Sequence, residues 1–252
     1  MPSHPSLAKI YWRLHNFLYP ELKNSQHIYF ATLKDSLTSE TRWLDVGCGH
    51  QIVPVFTKVD EQSIVRGVRF AAGIDCDVPS LVRHVSLRHR VASDLGKLPF
   101  VNGAFSLITA NMVMEHVDTP HAALREAWRV LRPGGVFLVH TPNFLNYMSL
   151  ISWLLPQPVK NVIAGFLGDR KEEDIYPTRY RFNTPSTIRQ EAVNSGFEII
   201  DLRLVNTSPL TKSLGPLAIF ELMLLRLLTI HPLRKLQCDM IVTLRKPPQS
   251  NK

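Results

Sequence analysis

The chain is poor in cysteine, carries no apolar run long enough to cross a bilayer, and shows no internal repeat, low-complexity tract or linker-like stretch. Each absence narrows what it can be. Its 252 residues include 3 cysteines, Cys48, Cys76 and Cys238. These are too few and too scattered for a disulfide framework or a Cys-rich zinc site, so a reducing compartment is expected. The first residues, MPSHPSLAKIYWRLHNFLYP, lack the uninterrupted apolar core of a secretory signal, and the expected location is cytoplasmic. With 45% hydrophobic residues the chain can bury a real core, which excludes a disordered or collagen-like protein.

Charge is plentiful and uneven. The 29 Lys and Arg against 21 Asp and Glu leave a formal charge of +8, which brings nucleic acid and anionic membrane surfaces into consideration. Residues 1–40 hold 4 basic and 3 acidic residues, 41–140 hold 11 and 9, and 141–252 hold 14 and 9. The excess therefore lies mostly in the last third.

Periodicity and turn signals divide the chain into three zones. Residues 1–40 mix aromatics at helical spacing and read as one or two helices broken at Pro20. Residues 41–141 alternate strands, at 42–46, 70–74, 105–110 and 135–140, with helical segments, the pattern of a parallel sheet. Their clearest helix is expected over 120–132, with Asp118 and Thr119 as N-caps, Pro120 at its first turn and Pro133-Gly134-Gly135 as its stop. In residues 142–252 a helix from Pro185 to Ser195, stopped by Gly196, precedes strands near 197–205 and 238–245.

The first chemical signal is Trp43-Leu44-Asp45-Val46-Gly47-Cys48-Gly49-His50. A strand ending in Asp-x-Gly-x-Gly lets backbone approach a ligand closely, because glycine lacks the Cβ that would block it and permits positive φ. The same turn also serves where packing needs a tight corner. Its neighbours add weight. Asp75 follows the next apolar run, Ala71-Ala72-Gly73-Ile74, where a carboxylate can accept from both hydroxyls of a ribose. Asp77 is either a substitute for it or a helix N-cap. Asp94, in Ala92-Ser93-Asp94-Leu95-Gly96, can accept from an adenine amino group with Leu95 against the ring, or is a turn aspartate.

Together LDVGCG, GID, ASDLGKLPF, GAFSLITANMVMEHV and LREAWRVLRPGGVFLVHTPN resemble, in order over residues 43–143, the class I S-adenosylmethionine-dependent methyltransferases, particularly those related to ubiquinone-pathway O-methyltransferases. The resemblance implies an α/β, Rossmann-like seven-stranded sheet whose last strand is antiparallel, flanked by helices, with a helical N-terminal lid over 1–40. The methyltransferase domain is then 41–252, its cofactor half 41–143 and its acceptor-binding insertions and final strands 144–252. It implies S-adenosylmethionine as cofactor: Asp45, Gly47, Cys48 and Gly49 at the methionine moiety, Asp75 at the ribose, Asp94 and Leu95 at the adenine, Asn111 and Met112 lining the sulfonium. Two departures bear on affinity. Gln51 stands where the family often has a third glycine, and residues 51–69 form a longer crossing, with Pro54 near the expected helix start.

Methyl transfer from a sulfonium is an in-line displacement, so positioning supplies much of the rate and a base for the acceptor proton is the remaining need. His116, in the family-like Glu115-His116 pair, is the first candidate and His140, at the end of the fifth strand, the second; for each a hydrogen-bonded structural histidine is the alternative. Related enzymes can hold a divalent metal with acidic and His residues here, but Met112 replaces one such acid and no metal is expected. No Asp/Asn-Pro-Pro-Tyr/Phe tetrapeptide follows the fourth strand, which argues against nucleobase N-methylation.

Thr178-Arg179-Tyr180-Arg181-Phe182-Asn183-Thr184-Pro185 reads either as a binder of an anionic acceptor or as a loop whose Thr184 caps the next helix. HTPN followed by an insertion and YRFNTP is similar to methyltransferases of polysaccharide or lipid-linked saccharide pathways. The apolar stretch 217–230 lies within the 214–235 segment and is shorter than the ~20 residues of a membrane span. It fits an interfacial helix at the inner face of a membrane, a homodimer contact or an internal helix. The sequence thus reads as an enzyme that O-methylates a small-molecule or lipid- or saccharide-linked acceptor, with nucleic acid disfavoured. A noncatalytic cofactor-binding module of the same fold and an RNA or protein methyltransferase are the alternatives.

Overall fold

The computed structural model describes residues 13–57, 59–149, 178–207 and 216–249. The apolar segment 144–168 lies outside the described residues from position 150 onward, as do residues 1–12 of the N-terminal zone. Seven strands form one sheet: β1 (Arg42–Val46), β2 (Phe70–Asp75), β3 (His89–Ala92), β4 (Phe105–Asn111), β5 (Leu131–Pro142), β6 (Glu198–Val205) and β7 (Asp239–Arg245). They lie in the order β3-β2-β1-β4-β5-β7-β6. β1 pairs in parallel with β2 and β4, β2 with β3 and β4 with β5. β7 is antiparallel. Its end meets the start of β5, where Gly134 N–H donates to the Lys246 carbonyl, and its beginning meets the end of β5, where Asn143 N–H donates to the residue 238 carbonyl.

The burial of these strands explains their sequences. Trp43, Leu44 and Val46 of β1, Ala72 and Ile74 of β2, and Leu107, Ile108 and Ala110 of β4 are all buried. Covered on both faces, such strands read as continuous apolar runs rather than alternating ones. Successive strands run outward from β1 to β3, and the chain then returns to place β4 on the other side of β1. That reversal puts a crevice at the carboxyl ends of β1 and β4, the usual ligand position in an open α/β sheet.

Among the described residues, helices α1 (Ser25–Ser36), α2 (Glu61–Arg66), α3 (Val78–Arg83), α4 (Pro120–Val130), α5 (Pro185–Asn194) and α6 (Pro216–Leu227) flank or follow these strands. Before α1 lies a short helical stretch over 13–18, with a turn at Pro20. α4 turns Ala123, Leu124, Ala127 and Val130 inward, the i, i+1, i+4, i+7 face of an amphipathic helix. It stops at Val130, not 132. Leu131 is already extended and β5 runs through Pro133-Gly134-Gly135, because Gly134 N–H donates to the Lys246 carbonyl and Lys246 N–H donates to the Gly135 carbonyl. Asp118 is not the N-cap either. Thr119 holds that position without a side-chain bond. α5 begins as expected, with Thr184 Oγ1 accepting from Thr187 N–H at 3.2 Å.

By compactness the described chain divides into two units that do not follow chain order. One holds 29–142, 178–203 and 240–249, with most of the sheet. The other holds 13–28, 143–149, 204–207 and 216–239. Its core is Leu22, Leu222, Leu225, Leu228 and Cys238, with Leu18, Tyr19 and Tyr147 packed around them.

Candidate active site

The turn after β1 is built on backbone hydrogen bonds to the end of β2. The N–H groups of Gly47 and Cys48 donate to the Ile74 carbonyl at 2.8 and 3.1 Å. Gly49 N–H donates to Asp75 Oδ2 at 2.8 Å, and the other oxygen of that carboxylate accepts from Asp77 N–H at 2.8 Å. Gly47 and Gly49 have φ of 67° and 53°, a region L side chains adopt only with strain. A Cβ on Gly47 would lie 2.3 Å from Val113 Cγ2, whereas one on Gly49 would meet no protein atom within 4 Å. The turn thus presses on the segment after β4 at Gly47 and opens onto space at Gly49.

The Cys48 side chain is buried and lies where a Cβ on Gly73 would meet its sulfur at 2.6 Å. Burial pushes its thiol well above the ordinary range, with the carboxylates of Asp45 and Asp75 acting in the same direction. It is a packing group here, and its backbone is what shapes the turn.

Beneath the turn Asp45 is buried and accepts a hydrogen bond from the Thr109 hydroxyl, which itself accepts from Trp43 Nε1 at 2.7 Å. Burial raises the Asp45 carboxyl to about 7; the Thr109 bond opposes this, and Glu61 and Asp75 add to it. Tyr29 of α1 is fully buried beside this cluster. Its phenol is pushed upward by burial and by Asp45. The 51–69 crossing is organised by a third carboxylate: buried Glu61 accepts from the N–H groups of Ile52 and Val53 at 2.9 and 2.8 Å and from the Ser86 hydroxyl. Only a 3-10 turn, Val55–Thr57, stands near Pro54, and the helix begins at Glu61.

Beyond β4 the chain bends sharply. Met112 has φ 57°, and its N–H donates to the His140 carbonyl at 2.8 Å. The Asn111 side-chain amide and His140 Nδ1 are hydrogen-bonded at 2.8 Å. His140 is fully buried and stacks on Tyr29, with ring centroids 5.3 Å apart. His116 is half-buried, its Nε2 3.9 Å from the Glu115 carboxylate. Glu115 is buried and accepts from Thr141 Oγ1 at 3.0 Å; burial raises its carboxyl, against the Thr141 bond and the neighbouring histidines.

The segment 178–184 is anchored to the same place. Arg179 and Tyr180 donate their N–H groups to the Glu115 carbonyl at 2.6 and 3.1 Å. Asn183 Nδ2 donates to Thr141 Oγ1 at 2.7 Å and to the Pro142 carbonyl at 2.9 Å. Arg179 pairs with Asp118 at 3.0 Å and Arg181 donates to the Asp118 carbonyl. At the far side Leu95 is buried, and Asp94 is exposed with one carboxylate oxygen accepting from Gly96 N–H.

Gly47, Cys48 and Gly49 therefore form one turn, with Asp45 in the strand that leads into it and Asp75 bonded to it from the end of β2, while Asn111, Met112, His116 and His140 lie at or just beyond the ends of β4 and β5. Thr109, Tyr29, Glu61, Thr141 and Asn183 carry no sequence signature of their own. Thr109 is legible only as a hydroxyl inside an apolar run, Phe105-Ser106-Leu107-Ile108-Thr109-Ala110.

A model of the methyltransferase domain matches residues 13–202. An uncharacterized chloroplastic methyltransferase of Arabidopsis thaliana is 35% identical over 89 residues, 34% of this chain and 25% of that one. The chain thus spans a quarter of that relative's length. A ubiquinone biosynthesis O-methyltransferase of Marinobacter nauticus is 25% identical over 181 residues, covering 68% of this chain and 69% of the other. Among solved structures, an S-adenosylmethionine-dependent methyltransferase of Mesorhizobium loti superposes with a TM-score of 0.53 at 17% identity, covering 86% of this chain and 96% of that one. At that identity the likeness concerns the fold.

Proposed function

The chain belongs to the methyltransferase domain family, S-adenosylmethionine-dependent enzymes of the class I fold, and from that premise we propose that it methylates an oxygen of a small-molecule or lipid- or saccharide-linked acceptor. The observation that carries the cofactor part is the Asp75 carboxylate. It spends two lone pairs on Gly49 and Asp77 N–H, and a carboxylate has about four. The rest remain for two ribose hydroxyls, beside the open space over Gly49. A side chain at Gly49 would fill that space, so the residues present fit the cofactor.

Bound S-adenosylmethionine supplies an electrophilic methyl group on a sulfonium. The chain's own groups bind, orient and move a proton. Asp45 and the 47–49 turn form the floor under the methionine part, with Cys48 acting through its backbone. Leu95 offers an apolar face to the adenine, and Asp94 keeps an oxygen for its amino group. Asn111 and Met112 line the transfer position. His140 holds the Asn111 amide in place through the hydrogen bond at its Nδ1 and so serves as a positioning residue. His116 receives the acceptor proton on its imidazole, and the buried Glu115 carboxylate at 3.9 Å stabilises the resulting cation.

Oxygen is favoured as acceptor atom by the relative named as a ubiquinone biosynthesis O-methyltransferase, matched over 69% of its length. The test is incubation with methyl-labelled S-adenosylmethionine and a cell lysate fractionated into lipid, glycan, RNA and protein pools. Label is expected in lipid or glycan and lost in His116→Asn. Label confined to RNA or protein would overturn the acceptor class. Absence of S-adenosylhomocysteine binding by calorimetry would overturn the cofactor assignment.

A further inference from the structure

We propose that the outward face of α6, together with the turn that follows it, is a docking surface for an anionic lipid membrane. The helix has two apolar faces and the described chain covers one. Leu222, Leu225 and Leu228 pack inward with Leu22 and Cys238. On the other side Phe220 is 70% exposed, Met223 55%, Leu227 47% and, just past the helix, Ile230 56%. Spacing of i, i+3 and i+7 sets Phe220, Met223 and Leu227 on one stripe, and Ile230 is exposed in the turn that follows. Isolated exposed apolar residues are ordinary, but an aligned row of large ones marks an interaction site.

Charge identifies the occupant. Glu221, the acid within α6, points away from the stripe: it is buried and accepts from the Tyr147 hydroxyl at 2.5 Å. Arg226, Arg234 and Lys235 are exposed at and beyond the end of the helix. Among the described residues of this unit the exposed charged side chains are Arg13, Lys23, Arg226, Arg234 and Lys235 against Glu21, while Asp239 is buried. An apolar stripe bordered by cations matches the boundary between acyl chains and anionic headgroups. A second copy docked symmetrically through α6 would instead bring both sets of cations together. Twelve residues make a helix of roughly 18 Å, and no described helix is long and apolar enough to cross a membrane. The contact is therefore parallel to the surface. The proposal rests on this face alone, so its failure leaves the reading of the methyl-transfer site untouched.

The test is flotation of the full chain with equimolar phosphatidylcholine and phosphatidylglycerol vesicles and with pure phosphatidylcholine vesicles, alongside mass measurement in solution. The chain is expected to float with the anionic vesicles and not with the neutral ones. Arg234→Gln with Lys235→Gln should weaken binding about thirty-fold, taking each cation's contribution from the surface potential. Phe220→Ser with Met223→Ser should weaken it about a hundred-fold, from the apolar area withdrawn from lipid, with an unchanged melting temperature. If that variant fails to fold, the charge variant decides. Failure of the unmutated chain to bind anionic vesicles overturns the proposal, as does binding insensitive to Arg234 and Lys235. A dimer that Phe220→Ser dissolves, in a chain that ignores vesicles, identifies the stripe as a contact between copies and likewise overturns it.

Discussion

The carboxylate of Asp75 accepts the backbone N–H of Gly49 at 2.8 Å, so the acid that ends β2 also fixes the turn that ends β1. On the proposed reading, one side chain then carries both turn geometry and recognition of the cofactor ribose. Asp75→Ala removes acceptors for two N–H groups and for the ribose hydroxyls. Hydrogen bonds to a charged group are worth about 1.5–3 kcal/mol, so S-adenosylhomocysteine affinity measured by calorimetry should fall by about 10- to 100-fold or more. Asp75→Asn keeps one acceptor oxygen and should fall between the two.

The two glycines of the turn separate stability from binding. Gly47→Ala sets a Cβ 2.3 Å from the branched Val113 side chain at a φ of 67°, so clash adds to the left-handed backbone cost of about 1–2 kcal/mol. Its melting temperature should drop the more. Gly49→Ala meets no protein atom and should pay only the backbone cost, but its methyl group enters the space assigned to the cofactor. Its binding loss should exceed its stability loss. Equal effects of both variants on binding, after correction for stability, would contradict this division.

Much of this arrangement is legible in the sequence, because buried parallel strands leave continuous apolar runs and because only backbone-sparing residues suit the turn. β1 ends before Gly47 and β2 at Asp75, where Gly or Asp punctuates such a run, and β4 ends at Asn111. β5 begins before its expected position, since the strand character of Pro133-Gly134-Gly135 comes from pairing with Lys246, more than a hundred residues away. The same holds in the site. Asp75 announces itself by position, but the bond from Thr109 to Asp45, the stacking of Tyr29 on His140 and the grip of Asn183 on Thr141 are products of folding. Arg179 and Arg181 illustrate the converse. They look like anion binders in sequence, and in the structure both hold Asp118.

That pairing makes a test of the acceptor's charge. The Arg179–Asp118 ion pair is largely exposed on both sides, and such pairs contribute about 0–1 kcal/mol. Arg179→Ala should therefore leave the melting temperature nearly unchanged. If the acceptor is anionic and reaches this segment, KM for the acceptor rises while kcat and cofactor affinity stay close to the parent. A neutral acceptor, or one bound elsewhere, would leave KM unaltered.

His116 should show the opposite kinetic pattern. Removing a general base costs about 10²- to 10⁴-fold in rate, so His116→Asn should lower kcat by that order with cofactor affinity retained. Its ring is half-buried, and the melting temperature should hold. His140→Asn, by contrast, should destabilise the fold, because it empties the stack on Tyr29 and releases Asn111. Loss of stability in the His116 variant, without loss of kcat in the fraction that remains folded, would assign that histidine a structural role.

Asp45 imposes a pH dependence whose sign is opposite to that of an ion-paired carboxylate. Burial raises its carboxyl from the ordinary 3.8 to about 7, so between these values the folded state holds a proton that the unfolded state has released. Stability then falls as pH rises from about 4 to about 7 and levels off above, by up to about 4 kcal/mol. Asp45→Asn keeps the oxygen that accepts from Thr109 and removes the ionisation. Its melting temperature should match the parent below about pH 4, exceed it above pH 7, and change less in between. Glu115, also raised by burial, shifts stability in the same direction, so a residual slope should persist in Asp45→Asn and flatten further when Glu115→Gln is added. Parallel profiles for parent and Asp45→Asn across that range would mean that the Asp45 carboxyl is ionised in the folded chain at no cost, and that the Thr109 bond outweighs its burial.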